Sequence, residues 1–119
     1  MFDICIVGGG VAGLMLAHSL PSSMSIAILT KEDPLTSNTA LAQGGIAASL
    51  APFDSPSTHA VDTMLATANH AHFERVDILV QEGKILVEKL MSQGLPFDMT
   101  TSGAPNLGQE AAHTHRRIL

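Results

Sequence analysis

The chain is predicted to be an α/β protein opening on one parallel strand–helix–strand unit, and three observations predict it. Phe2 to Val7 is a short apolar run with β-branched residues that ends in glycines, the pattern of a strand buried in a parallel sheet. Val11 to Leu20 is apolar on all sides except His18 and Ser19, as a helix enclosed in a core is. After the turn Pro21-Ser22-Ser23, Ser25 to Thr30 carries Ile26, Ile28 and Leu29 and reads as a second strand. The crossover between two such strands is right-handed.

Composition agrees with one folded domain over residues 1–119. The apolar fraction is 45% and the charged fraction only 14%, the reverse of the balance that keeps a chain disordered. Six Lys and Arg against eleven Asp and Glu give a net charge of −5, so no basic face for nucleic acid is expected. The single cysteine, Cys5, has no internal disulfide partner. That suits a reducing compartment, and a cytoplasmic location is the expectation. Cys5 itself reads as a small buried hydrophobe.

Charge is absent from Ile4 to Thr30, a run long enough to cross a bilayer. Gly8, Gly9, Gly10 and Gly13 stand in its middle, and each interior glycine costs ~1 kcal/mol of helix propensity. Pro21 then breaks it, and Asp3 stands where a leader peptide carries positive charge. No membrane segment is predicted. So apolar a first half must be covered on nearly every side, by this chain or by something larger; alone it exposes apolar surface and tends to self-associate.

Lys31 to Ser55 has no sustained periodicity and contains Pro34, Gly44, Gly45 and Pro52. A loop of that length in a compact domain is usually functional. Helical spacing returns with Val61, Met64, Leu65 and Ala68, with Ser55 or Ser57 as N-cap and Pro56 at a permitted first-turn position. Val76, Leu79, Val80, Leu86, Val87, Leu90 and Met91 mark a second helix, and Gly94 fits the residue just past its end. Leu95 to Asp98 reads as the start of a strand, and Thr100 to Asn106 as a turn.

The glycines carry the first chemical signal. Gly8-Gly9-Gly10-Val11-Ala12-Gly13 fits G-x-G-x-x-G between a strand and a helix. In that setting Gly8 allows the tight turn, Gly10 lets a pyrophosphate approach the backbone, and Gly13 lets the helix pack closely on the strand. The helix amides that begin at Val11 and Ala12 favour phosphate. This predicts a Rossmann-like dinucleotide site. The acid expected at the end of the second strand is missing: Thr30 and Lys31 stand there, with Glu32 next. Thr30 offers the ribose a hydroxyl, and Glu32 can reach round.

Ser37-Asn38-Thr39-Ala40-Leu41-Ala42-Gln43-Gly44-Gly45-Ile46 resembles the S-x-T-x-x-A-Q-G-G-I signature of the succinate dehydrogenase and fumarate reductase flavoprotein family, to which the L-aspartate oxidases belong. The resemblance implies FAD, with this stretch along the isoalloxazine ring. Gly44 and Gly45 would leave backbone open against the ring, while Ser37, Thr39 and Gln43 hydrogen-bond its heteroatoms. The respiratory members carry a histidine bonded to FAD just before the threonine. Here that residue is Asn38, which implies non-covalent FAD, as in the oxidase branch.

Asp54-Ser55, His59 and Asp62-Thr63 resemble the D-S…H…D-T spacing of that branch, and Glu110-Ala111-Ala112-His113-Thr114-His115-Arg116-Arg117-Ile118-Leu119 resembles its E-G-G-H-S-H-R-R-I-L. The matching glutamate there lies near the substrate amino group, which makes Glu110 the candidate for the ammonium of L-aspartate. Ala111 and Ala112 replace two glycines. The resemblance spans the whole chain but about a quarter of the family's length. The expectation is therefore the N-terminal, FAD-binding part of such an enzyme, lacking the cap.

The activity implied is oxidation of L-aspartate to iminoaspartate by hydride transfer to FAD, with oxygen or fumarate as electron acceptor, in NAD biosynthesis through quinolinate. The family's proton-abstracting arginine and substrate-holding histidines come from later sequence, so no catalytic residue is assigned among these 119, and the part alone is expected to be inactive. Two other functions stay open: the flavoprotein of a succinate or fumarate enzyme, and a non-catalytic nucleotide-binding or interaction module. His70-x-His72 and His113-x-His115 could each present two imidazoles, but no carboxylate or cysteine set completes a metal site. Arg116 and Arg117 offer a bidentate fork to a phosphate or a substrate carboxylate, or else cap this end.

Overall fold

A computed structural model describes residues 1–68 and 70–119. The chain divides into two compact units, Met1–Gly44 and Gly45–Leu119. In the first, strands β1 (Ile4–Val7) and β2 (Ile26–Leu29) are joined by helix α1 (Val11–Ser19). The strands are parallel, with Ile4 opposite Ile26 and Val7 opposite Leu29. Asp3 locks the start of the pair: its N–H donates to the Ser25 carbonyl at 2.8 Å, and its carboxylate accepts the Ser25 N–H at 2.8 Å. The Gly8 N–H carries the ladder one step further, onto the Leu29 carbonyl at 2.9 Å.

Two glycines make the turn into α1 possible. Gly8 has φ +111°, a backbone region that side chains disfavour. A Cβ on Gly13 would collide with the Gly8 carbonyl and stand 3.2 Å from Ile6 Cγ2. The helix therefore lies against β1 as closely as the motif requires.

Burial in this unit departs from the sequence expectation. Cys5 is exposed, α1 has no buried residue, and Val7 and Val11 are 84% and 59% exposed. Ile6 is the one buried residue of β1. Enclosing such elements on every side takes a layer on each face of a wider sheet, and two strands with one helix supply neither. The exposed apolar surface expected of the first half is present.

The second unit holds helices α2 (Pro56–Ala66) and α3 (Phe73–Ser92). Ser55 caps α2 by accepting the Thr58 N–H at 3.1 Å, and Pro56 occupies the first turn. Gly94, at φ +87°, follows the end of α3, the usual left-handed stop. Ala60, Val76 and Val80 form the core, with Met64 and Ala71 packed on it.

The periodic stripe of α2 divides: Met64 packs on the core as expected, and the rest faces outward. Val61 and Leu65 are 56% and 70% exposed, while His59, Ala60 and Asp62 are buried. On α3, Val76, Val80 and Val87 are buried and Leu79 and Leu86 exposed. The cause lies in the pairing of residues 46–48 with 117–119. Ala48 N–H donates to the Arg117 carbonyl at 2.9 Å, and Ile46 and Leu119 exchange bonds at 3.2 and 2.9 Å. That pairing sets Arg117 against the polar face of α2, and an ion pair then turns this face inward.

Leu95 to Asp98 forms no strand; Met99 makes an isolated antiparallel bridge to Pro105, closing the expected turn. Among the described residues, no helix is long and apolar enough to cross a membrane.

Candidate functional site

At the C-terminal ends of β1 and β2 the first unit forms a cleft of about 470 Å³. Gly8, Gly9, Thr30, Lys31, Glu32, Asp33, Thr36, Ser37 and Asn38 line it. This is where open α/β sheets bind ligands. Of the residues singled out from sequence, Gly8, Thr30, Lys31, Ser37 and Asn38 meet here, and Glu32 joins them. Gly9, Asp33 and Thr36 were not anticipated. Asp33 had a readable signal, since it precedes Pro34 and caps a 3₁₀ turn by accepting the Leu35 N–H at 2.8 Å.

Gly10, Val11 and Thr39 meet at the start of α1. Gly10 caps the helix without a side chain, and the Val11 N–H instead donates to Thr39 Oγ1 at 3.0 Å, across 28 positions. A Cβ on Gly10 would meet only Thr39 Oγ1 at 3.6 Å, an ordinary contact. The chain's own packing therefore does not demand glycine at this position. Its absent side chain leaves room for an anionic group at the helix start, where amides and dipole favour one. The cradle has room for a dinucleotide pyrophosphate, and Thr30 and Glu32 line the cleft beside it.

The rest of the signature divides. Ser37 Oγ accepts the Ala40 N–H at 3.1 Å and shapes the loop. Ala12 continues α1. Gln43 is exposed, and among the described residues a Cβ on Gly44 would meet open space. Gly45 differs from the expectation of backbone left open: a Cβ there would strike Ile118 and the Leu119 carbonyl. Glycine at 45 thus serves the approach of two segments of the second unit.

Within that unit the buried centre is Arg117, whose side chain has no exposure. Its Nε and Nη2 donate to Asp54 at 2.6 and 2.8 Å, and its Nη1 donates to Asp62 at 2.5 Å and to His113 Nδ1 at 3.2 Å. The fork foreseen for a phosphate or a substrate carboxylate is filled by the chain's own aspartates, so Arg117 is structural. Of the D-S…H…D-T residues, Asp54 and Asp62 meet it, while Ser55 caps α2 and the Thr63 hydroxyl donates to the His59 carbonyl at 2.9 Å.

Protonation follows from this packing. Burial pushes the Asp62 carboxyl up, but the Thr114 N–H, the Arg117 guanidinium and the Thr114 hydroxyl outweigh it and hold Asp62 at about 2. Asp54 is likewise lowered, against its own burial, by Arg117 and the Ser55 N–H. His59 is lowered by burial first, then by the charge of Arg117, and its buried Nδ1 has no hydrogen-bond partner among the described residues.

Glu110 opens a turn that the His113 N–H closes on the Glu110 carbonyl at 3.3 Å. It is exposed, and Ala112 in the same turn has φ +70°. Alanine is strained there, where the resembling family has glycine. A cleft of about 250 Å³ lies beside this turn, lined by Asp62, Thr63, Ala66, Thr67, Ala111, Ala112 and His113. The two imidazoles of His113-x-His115 part company, His113 tilting against His59 at 5.4 Å and His115 meeting Phe53 edge-on at 5.7 Å.

A parallel β–α–β unit, a glycine turn into the helix and a polar cleft at the strand ends together define a dinucleotide-binding α/β domain. The family model described as "FAD binding domain" matches residues 3–119. The chain belongs to that family, and its cofactor is FAD. It is 39% identical to the L-aspartate oxidase of Bacillus subtilis over 97% of its length, covering 22% of that protein. It is 41% identical to the chloroplastic L-aspartate oxidase of Oryza sativa over 99%, covering 18%. Among solved structures, an E. coli quinol fumarate reductase FrdA variant superposes with a TM-score of 0.84 at 28% identity, over 98% of this chain and 20% of that one. The chain thus spans about a fifth of the length of the relatives it matches.

Proposed function

We propose that the chain is the N-terminal part of the FAD-binding domain of an L-aspartate oxidase and holds FAD non-covalently. The identity of 37–42% to L-aspartate oxidases along 97–99% of the chain carries this reading. In it, the α1 amide at Ala12 and the bare Gly10 take the pyrophosphate while Thr39 holds the Val11 N–H in place, and Thr30, Lys31 and Glu32 take the adenosine ribose side. Ser37, Thr39, Gln43 and Gly44 face the flavin. Asn38 is a carboxamide, whose nitrogen lone pair is delocalised, so it offers no nucleophile for a covalent link to the ring. Glu110, exposed on its turn, accepts the substrate ammonium, an attraction that strengthens as the site loses water.

FAD, when bound, supplies the acceptor for the hydride that leaves the carbon beside the amino group of L-aspartate, which becomes iminoaspartate as its nitrogen gives up a proton. Oxygen or fumarate then takes the electrons, and the product feeds NAD biosynthesis through quinolinate. The protein's share is position and electrostatics. The reading carries a cytoplasmic location, unlike the plant relatives, which are named chloroplastic. A flavoprotein of a succinate or fumarate enzyme is the second reading. The FrdA superposition favours it, whereas Asn38 and the identity to oxidases count against it.

Two experiments test the proposal. The visible spectrum of the chain with added FAD, before and after acid precipitation, should display bound flavin that acid releases. A chimera carrying this chain in place of the matching fifth of the Bacillus subtilis oxidase should oxidise L-aspartate. A flavin that stays with the acid pellet overturns the non-covalent reading, and a folded, flavin-loaded chimera that ignores L-aspartate overturns the oxidase.

A further inference from the structure

Resting on that reading, we propose that His113 is a specificity-determining residue, and that its Nε2–H donates to a carboxylate of the amino acid whose ammonium Glu110 accepts. A guanidinium has donors and no acceptor, so the contact from Arg117 Nη1 to His113 Nδ1 at 3.2 Å makes Nδ1 the acceptor. The proton of the neutral ring then sits on Nε2. Arg117 cannot turn away to release that choice, because Asp54 and Asp62 hold its Nε, Nη2 and Nη1 through three hydrogen bonds. Among the described residues Nε2 has no hydrogen-bond partner, and His113 lines the cleft of about 250 Å³ beside Ala111 and Ala112.

Glu110 and His113 are the first and last residues of one closed turn, whose ends lie within about 7 Å of each other. That spacing suits the two ends of an amino acid. The turn itself is pinned, since Asp62 accepts both the N–H and the hydroxyl of Thr114 and Gln109 Nε2 donates to the His113 carbonyl at 2.8 Å. An acceptor for ammonium thus stands beside a donor for carboxylate on a rigid support. The ligand class is an α-amino acid with a free carboxylate, and an amide or ester in that place would lose the charged partner.

The test uses the FAD-loaded chimera with L-aspartate. His113→Ala should raise KM about tenfold or more, the cost of a hydrogen bond to a charged group, while kcat stays within about threefold. His113→Gln should restore KM, because its carbonyl can accept from Arg117 while its amide N–H donates. A purely structural role would move the melting temperature and spare the split between KM and kcat. Nitrogen-15 spectra of the histidine rings of this chain should give the Nε2–H form for His113. A KM unchanged in His113→Ala, or an Nδ1–H ring, overturns the proposal; a wild-type chimera that loads FAD and does not turn over L-aspartate overturns the oxidase reading beneath it.

Discussion

Thr114 donates both its backbone N–H and its hydroxyl to one oxygen of Asp62, at 2.9 and 2.8 Å, across 52 positions of sequence. The same oxygen receives Arg117 Nη1. Asp62 is therefore where α2, the Glu110 turn and the buried guanidinium are tied together. The predictions below follow from that centre and from the glycine cradle.

Replacing Arg117 by Met leaves the carboxylates of Asp54 and Asp62 buried without their cation. Removing one partner of a buried pair costs about 3–5 kcal/mol, so the second unit should unfold at much lower urea. Arg117→Lys should recover only part of the loss, since a single ammonium cannot span both aspartates. Urea titrations followed by far-ultraviolet circular dichroism read both.

Acid should destabilise this unit in two stages. Asp62 sits at about 2 when folded and near 3.9 when unfolded. Its contribution is complete above the unfolded value and is lost as pH falls through about 2. Asp54 adds in the same direction. His59 is held below its ordinary value, so the unfolded state takes up its proton first and stability falls as pH drops below about 6.5. Asp62→Asn should flatten the lower part of a stability–pH curve and His59→Gln the upper part. A wild-type curve level between pH 7 and 3 would contradict both assignments.

Ala112→Gly should stabilise the second unit by about 1 kcal/mol, because the left-handed backbone at φ +70° penalises a Cβ. Ala68, at φ +48° just past α2, should respond in the same way. Differential scanning calorimetry of the two variants checks this, and an unchanged or lower midpoint would count against the strain.

The glycines of the motif should separate fold from ligand. Gly13→Ala drives a methyl into the Gly8 carbonyl and should disrupt β1 and α1, with FAD binding lost as a consequence. Gly10→Ala meets only an ordinary contact, so the circular dichroism should stay native while FAD affinity falls. If Gly10→Ala binds FAD as the parent does, the pyrophosphate does not approach there.

The order of elements was legible because each had a local cause: glycines after an apolar run, Ser55 and Pro56 opening α2, Gly94 closing α3. The cleft was legible in part for the same reason, since Gly8 and Thr30 directly follow the two strands. The inward face of α2 was not. Apolar spacing chose Val61, Met64, Leu65 and Ala68, of which Met64 packs on the core, whereas the deciding partner, Arg117, lies 55 positions beyond Asp62. Periodicity carries no information about so distant an ion pair. Gly45 misled for a related reason, its partner being Ile118 and Leu119 rather than an open surface.

The pairing of residues 46–48 with 117–119 also orders events in time. Asp54 and Arg117 stand 63 positions apart, and closing a loop of that length costs about 4 kcal/mol of chain entropy before any contact repays it. α2 and α3 are complete on a growing chain well before Arg117 emerges, yet the two aspartates cannot be enclosed without their cation. Enclosing Asp54 and Asp62 therefore depends on that distant arginine, a contact of high sequence separation.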